Sequence, residues 1–197
     1  MPESASAPSL VAEPETANLA LAPLAATGGT SILASPSNTR VAEIFGGQLY
    51  GSSGSGAFVN VFIVGAGLPT TTAAATSLPG LPTATASPYG FAFVGNSALY
   101  VADDRAPASG GGVQKWTLSG GTWGLTTTFN KGITAGARGV VAVVTGSTTT
   151  VIATVAVTSA NPIVTFVDDG VNLTPTAAVI ATAGTNTVYR GAALAPQ

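Results

Sequence analysis

One repeat of about fifty residues dominates this sequence. Its copies begin at Arg40, Tyr89, Arg138 and Arg190, at intervals of 49, 49 and 52 residues. Each start is followed by a short run of apolar residues. A fixed period of roughly 40–50 residues, with about four short strands in each period, is typical of a β-propeller blade. The sequence therefore predicts an all-β fold, a β-propeller of about four blades.

The second copy shows the internal pattern of the repeat most clearly. Short apolar runs alternate with glycine-containing turns, which is the pattern of strands joined as hairpins. The third strand of each copy carries an aromatic residue in one position, namely Phe62, Trp116 and Phe166. We expect these side chains to pack between neighbouring blades. The four strands predicted in the second copy are 91–94, 98–102, 113–118 and 122–129.

The repeat also divides the chain. We expect residues 1–17 to form a poorly ordered tail and residues 18–197 to form the propeller. Two arrangements stay open: the last strand pairs with the N-terminal strands and closes a four-bladed ring, or the chain is part of a larger propeller. The predicted units of the propeller are a partial blade at 18–35, blades at 38–80, 87–130 and 136–183, and a closing strand at 187–196.

The composition supports strands and narrows the set of partners. Charged residues make up 7% of the chain, and the net charge is −2, whereas about 25% is usual in soluble domains. Nucleic-acid binding needs clustered Lys and Arg, and six such residues are too few. No apolar run is long enough for a membrane-spanning helix. The chain has no Cys, and its surface rich in Thr, Gly and Ser predicts an extracellular or cell-surface location, with a signal segment lost upstream.

Three of the six basic residues share one position of the repeat. Arg40, Arg138 and Arg190 stand at the start of the innermost strand, and Tyr89 holds that position in the remaining copy. Asp103 and Asp104 end a second strand, which lies beside the start of a first strand in an antiparallel meander. One interpretation is a ring of guanidinium groups that binds a carboxylate or a phosphate. The other is structural, with each Arg joining adjacent blades through carbonyl groups or a nearby Asp.

No set of residues in the sequence has the pattern of a catalytic site. The chain contains no His to activate a Ser or Thr nucleophile. The Asp168-Asp169-Gly170 segment offers too few oxygens for calcium and matches the glycine turns of the other copies, so a turn is expected there. The sequence predicts no catalytic residues, no metal site and no cofactor.

Four segments resemble a known group of proteins. They are residues 87–91 (SPYGF), 99–105 (LYVADDR), 111–118 (GGVQKWTL) and 186–191 (NTVYRG). Together they resemble bacterial secreted β-propeller-like proteins, a largely uncharacterised group, over about residues 18–196. The resemblance implies a propeller and suggests that this chain is the C-terminal part of a longer protein. It implies no catalytic residues.

These observations favour a non-catalytic extracellular module for binding or scaffolding. Its partner would be an unknown protein, a glycan or a small anionic ligand. One alternative is a remnant of a propeller enzyme that acted on an anionic small molecule held by the arginines. Another is a structural surface protein that self-associates through open blade edges. Fold alone does not decide among these, because propellers serve many functions.

Overall fold

A computed structural model describes residues 9–12, 19–22, 29–55 and 58–194 of the chain. Near the N-terminus, three short strands form an antiparallel sheet in the order β1-β2-β3. We call it the N-terminal sheet. Most of the predicted tail, residues 1–17, lies outside the described residues. The strands of this sheet are β1 (Ser9–Ala12), β2 (Leu19–Ala22) and β3 (Thr30–Ser31).

Three four-stranded antiparallel sheets follow, and each is a meander in which strands adjacent in sequence are paired. Sheet 1 comprises β4 (Thr39–Phe45), β5 (Gln48–Ser53), β6 (Asn60–Val64) and β7 (Ala75–Ser77). Sheet 2 comprises β8 (Pro88–Val94), β9 (Ala98–Asp103), β10 (Gly112–Ser119) and β11 (Thr122–Phe129). Sheet 3 comprises β12 (Ala137–Thr145), β13 (Thr148–Val155), β14 (Pro162–Asp168) and β15 (Ala178–Thr182).

The all-β prediction is confirmed, and the four strands expected in the second copy coincide closely with β8–β11. Two-residue glycine turns explain why these hairpins form where they do. Gly46 and Gly47 join β4 to β5 with φ values of 57° and 76°. Both angles lie in the left-handed region that glycine adopts without a steric penalty and that this type of hairpin turn requires.

Sheets 1 and 2 pack face to face through large apolar side chains. Alternate residues of a strand point to opposite faces, so Val41 and Tyr50 of sheet 1 meet Phe91, Leu99 and Trp116 of sheet 2. Aromatic stacking adds to this contact, because the ring centroids of Phe45 and Phe93 lie 4.7 Å apart. The burial of these side chains joins the two sheets.

Sheets 2 and 3 pack in the same manner. Tyr100, Val113 and Phe129 of sheet 2 are buried against Val151 and Phe166 of sheet 3. The aromatic residues predicted to pack between blades are therefore buried: Phe62 and Phe166 are fully buried and Trp116 is 5% exposed. Phe62 lies on the other side of sheet 1, where it packs with Ile32 and Leu33.

The first strands of the three sheets lie side by side and bring backbone close to backbone. Strand β8 contacts both β4 and β12. A Cβ atom at Gly90 would lie 2.9 Å from the carbonyl oxygen of Arg138, and one at Gly139 would lie 2.9 Å from the backbone of Gly191. Glycine is therefore required at this position in both copies. Residues 191–192 continue the row of first strands beyond β12.

Ring closure, one of the two arrangements that the sequence left open, is not found in the described part of the chain. Residues 187–194, where a closing strand was predicted, form no strand, and no sheet joins them to β1–β3. Closure requires pairing between segments far apart in sequence, and the repeat pattern does not specify that pairing. The domain boundaries given above stay predictions. No helix among the described residues is long and apolar enough to cross a membrane.

Candidate functional site

Three of the predicted site residues meet at one end of the row of first strands. Arg40 of β4, Tyr89 of β8 and Arg138 of β12 stand at the same place in successive sheets. The guanidinium carbon of Arg40 lies 4.1 Å from the centroid of the Tyr89 ring, and that of Arg138 lies 5.2 Å from it. Both distances are within the range of a cation–π contact. We call this group the Arg–Tyr–Arg stack.

Hydrogen bonds hold Arg40 in the stack. Its Nη1 atom donates to the hydroxyl of Ser87 at 2.9 Å and to the carbonyl of Pro88 at 3.0 Å. The Arg40 guanidinium also packs directly against the backbone of Gly54. A side chain at position 54 would displace this guanidinium, because its Cβ atom would overlap it. Arg40 therefore joins sheet 1 to the start of β8, which is the kind of contact that the structural interpretation predicts.

An ion pair positions Arg138. Its Nε and Nη2 atoms both lie 3.4 Å from Oδ2 of Asp104. The pair is partly exposed, with 28% of the Arg138 side chain and 18% of the Asp104 side chain accessible. A partly exposed pair at this distance contributes modestly to stability, about 0–1 kcal/mol.

Asp103 is buried beneath the same end and organises the loop that follows β9. Its carboxylate accepts hydrogen bonds from the backbone N–H groups of Ser87 and Arg105, and from Nε of Arg105 at 2.9 Å. Gln114 links it to Trp116, whose indole N–H donates to the Gln114 side-chain oxygen. Because Asp103 is only 1% exposed and well bonded, these contacts make it a structural residue of the loop.

Arg190 is the remaining predicted residue of the group. It is exposed, in the segment without a strand. The neighbouring Tyr189 is fixed by Asn161, whose side chain donates to the Tyr189 carbonyl at 2.9 Å and accepts from its N–H at 2.7 Å. The backbone at Arg190 therefore continues the row of first strands next to Arg138. The Arg190 side chain is not part of the Arg–Tyr–Arg stack.

Charge is unevenly distributed between the two ends of the sheets. Four arginines lie at the end where the first strands begin, alongside two carboxylates, Asp103 and Asp104. Asp168 and Asp169 lie at the opposite end, where β14 finishes. Among the described residues, the end that carries the Arg–Tyr–Arg stack is therefore electropositive. Its arginines are Arg40, Arg105, Arg138 and Arg190, and Lys131 follows β11 at the same end.

A polar cluster that the sequence did not predict lies between sheets 2 and 3. The Lys115 ammonium lies 2.6 Å from Oδ2 of Asp168, and the Tyr100 hydroxyl donates to the same oxygen at 2.6 Å. Burial alone would raise the pKa of Asp168, but the hydrogen bonds from Lys115 and Tyr100 outweigh it and hold that pKa below its usual range. Burial raises the pKa of Tyr100, and its bond to Asp168 adds to the rise.

One sequence signal could have revealed this cluster. Lys115 lies in the middle of β10, between Gln114 and Trp116, where both faces of the strand are covered by other sheets. A lysine in such a strand needs a buried partner. The Asp168-Asp169-Gly170 segment, expected as a turn, supplies that partner at the end of β14. No group of three metal-ligating residues of the His, Cys, Asp and Glu types is found in the described part of the chain.

Comparisons with known proteins give no relative of this chain. No family model, no curated protein and no solved structure matches it.

Proposed function

We propose that this chain is a non-catalytic extracellular binding module of propeller type that takes a small anionic ligand at the electropositive end. The Arg–Tyr–Arg stack is the observation that carries the proposal. Two guanidinium groups lie around one ring at the end where the first strands begin, and Arg190 follows in the same row.

The hydrogen-bonding capacity of the stack suits a carboxylate or a phosphate. Arg40 uses Nη1 for its contacts with residues 87–88, and Arg138 uses Nε and Nη2 for Asp104. The other nitrogens of both groups can donate to an anion, and guanidinium groups bind planar oxyanions in pairs of hydrogen bonds. Tyr89 keeps the two cations apart from each other and in fixed positions.

Thermal unfolding in the presence of anions tests the proposal. Citrate and phosphate would be titrated at constant ionic strength, with chloride as the reference. A ligand at ten times its Kd stabilises the folded state by about 1.4 kcal/mol, which raises the Tm of a domain of this size by roughly 3–5 °C. We expect the shift in the wild-type protein and its loss in Arg138→Ala.

Lys131→Ala is the matched control. Lys131 is exposed and outside the stack, so this variant removes the same charge and should keep the anion-dependent shift. Absence of a shift with every anion would refute the proposal. An equal loss in both variants would also refute it, because the effect would then come from overall charge.

A further inference from the structure

One face of sheet 3 has no covering sheet in the described structure. Cross-strand pairing sorts its residues into rows: Val143 lies opposite Thr150, which lies opposite Val167. Val167 is 51% exposed. The adjacent rows add partly exposed apolar and threonine side chains and no charged residue, namely Val141, Ile152 and Thr165 and then Ile163 and Ala181. Thr154, in the last row, is fully buried and accepts a hydrogen bond from the Gly139 N–H. We call this surface the far face of sheet 3.

The equivalent faces of sheets 1 and 2 are covered. On sheet 1, Val41 and Tyr50 pack against sheet 2, and on sheet 2, Tyr100 and Val113 pack against sheet 3. In each case the covering element is a four-stranded sheet whose first strand runs beside the first strand of the sheet that it covers. The same kind of element fits the far face of sheet 3.

The first strand of such a covering element is already in place. The backbone at Gly191 lies against Gly139 just as the backbone at Arg138 lies against Gly90. The bonds of Asn161 to Tyr189 hold the start of this segment. Residues 189–194 therefore occupy the position of a first strand, but in the described structure they belong to no sheet.

The N-terminal sheet has the strands that such an element still lacks. It contains three antiparallel strands in a meander, which matches the second to fourth strands of the other sheets. It lies at the opposite end of the row, next to β4. Ile32 and Leu33, which follow β3 directly, are fully buried on sheet 1, and the backbone N–H of Ala73 donates to the Ile32 carbonyl at 2.8 Å.

We propose that the N-terminal sheet of a second copy of this chain covers the far face of sheet 3 and pairs with residues 189–194. One strand from the first copy and three from the second together complete a four-stranded sheet. The short, buried connection through Ile32 and Leu33 keeps each N-terminal sheet at its own sheet 1. In the described structure no sheet joins it to residues 189–194 of the same chain. The contact is heterologous, so it builds rings or open chains of subunits.

Disulfide trapping identifies the strand pairing. The start of a first strand lies opposite the end of the second strand in sheets 1 to 3, as in the pair of Pro88 and Asp103. The corresponding positions are Tyr189 and Ala12, and the chain has no native Cys. Oxidation of the double variant Ala12→Cys/Tyr189→Cys should give a ladder of covalent multimers on a denaturing gel.

Mixing the two single-cysteine variants provides the control. Ala12→Cys mixed with Tyr189→Cys should give a cross-linked dimer, whereas each variant alone should give little. A disulfide formed within one chain of the double variant would overturn the proposal, since it would show that the chain closes on itself. Failure to form any disulfide would overturn it as well if light scattering finds a monomer at all concentrations.

Two further variants test the face. Val167→Glu places a charge on the far face of sheet 3 and should weaken association by at least about tenfold, because a charge would be buried without a partner. Leu125→Glu is matched to it: both residues are 51% exposed, but Leu125 lies in the edge strand β11 of sheet 2. It should leave association unchanged. Equal weakening by both changes, with folding confirmed by circular dichroism, would overturn the proposal.

Discussion

Glu43 makes the stability of the protein depend on pH in a specific way. It lies in β4, paired with Tyr50, and strand alternation puts it on the same face as Val41 and Phe45, which pack on sheet 2. Burial in these apolar surroundings raises the pKa of Glu43 to about 7 from its ordinary 4.5. The folded protein therefore holds a proton at pH 5–6 that the unfolded chain releases.

The sign and size of the effect follow from this difference. A group that binds more protons in the folded state stabilises that state at low pH, and the contribution falls as pH rises from about 4.5 to 7. The full shift corresponds to about 3 kcal/mol. Glu43 is only partly buried, and solvent screens such a group. We therefore expect a measured loss of about 1–2 kcal/mol.

Urea unfolding followed by circular dichroism between pH 4.5 and 7.5 measures this loss. The chain has no His and no Cys, so no other side chain with an ordinary pKa titrates in the upper part of this range. Because the pKa of Asp168 is lowered, its carboxylate is protonated only in more acidic solution. Its contribution to the free energy of unfolding is lost there and not in this pH range. Glu43→Gln keeps the shape of the side chain without the charge and is the matched control.

The variant should be as stable as the wild-type protein near pH 5 and more stable by about 1–2 kcal/mol near pH 7.5. Its own free energy of unfolding should change little over the range. A wild-type stability that stays level or rises between pH 5 and 7.5 would refute the reasoning. The same pH slope in Glu43→Gln would refute it too, since another group would then be responsible.

Two other changes have outcomes set by single contacts. Asp168→Asn leaves the Lys115 charge without its partner and weakens the hydrogen bond from Tyr100. We therefore expect the free energy of unfolding to fall by about 3 kcal/mol. A fall below about 0.5 kcal/mol in urea titrations at pH 7 would contradict a buried ion pair. Gly90→Ala forces a Cβ atom against the Arg138 carbonyl and should lower stability by roughly 1–3 kcal/mol, while Ala at the exposed, non-left-handed Gly191 should cost nothing measurable by thermal unfolding.

The sequence pattern predicted the strands well because the signals for them are local. Glycine turns such as Gly46-Gly47 and alternating apolar residues act over a few positions, and the structure has strands where they indicate. The shared repeat position also placed Arg40, Tyr89 and Arg138 at one end. The repeat pattern does not predict which atoms they contact. Ser87, Pro88 and Asp104 come close to them only because whole sheets pack together.

Other features depend on contacts between distant residues. Lys115 and Asp168 are 53 positions apart in the chain, and nothing local to either residue indicates the other. Ring closure depends on pairing between the two ends of the chain, which the fifty-residue period leaves open. The ion pair and the missing closure were therefore found only in the structure.

The ion pair of Lys115 and Asp168 makes the contact between sheets 2 and 3 chemically different from the contact between sheets 1 and 2. The junction between sheets 1 and 2 is lined by aromatic and aliphatic side chains and by Glu43, which has no ion-pair partner among the described residues. The junction between sheets 2 and 3 contains a charged donor and acceptor that fit in one register. Sheet 1 has Ile63 opposite Tyr50 where sheet 2 has Lys115 opposite Tyr100. An aspartate brought against Ile63 would be buried without a counterion. Sheet 3 packed on sheet 1 would therefore lack the counterion that it finds on sheet 2, although the repeats share one architecture.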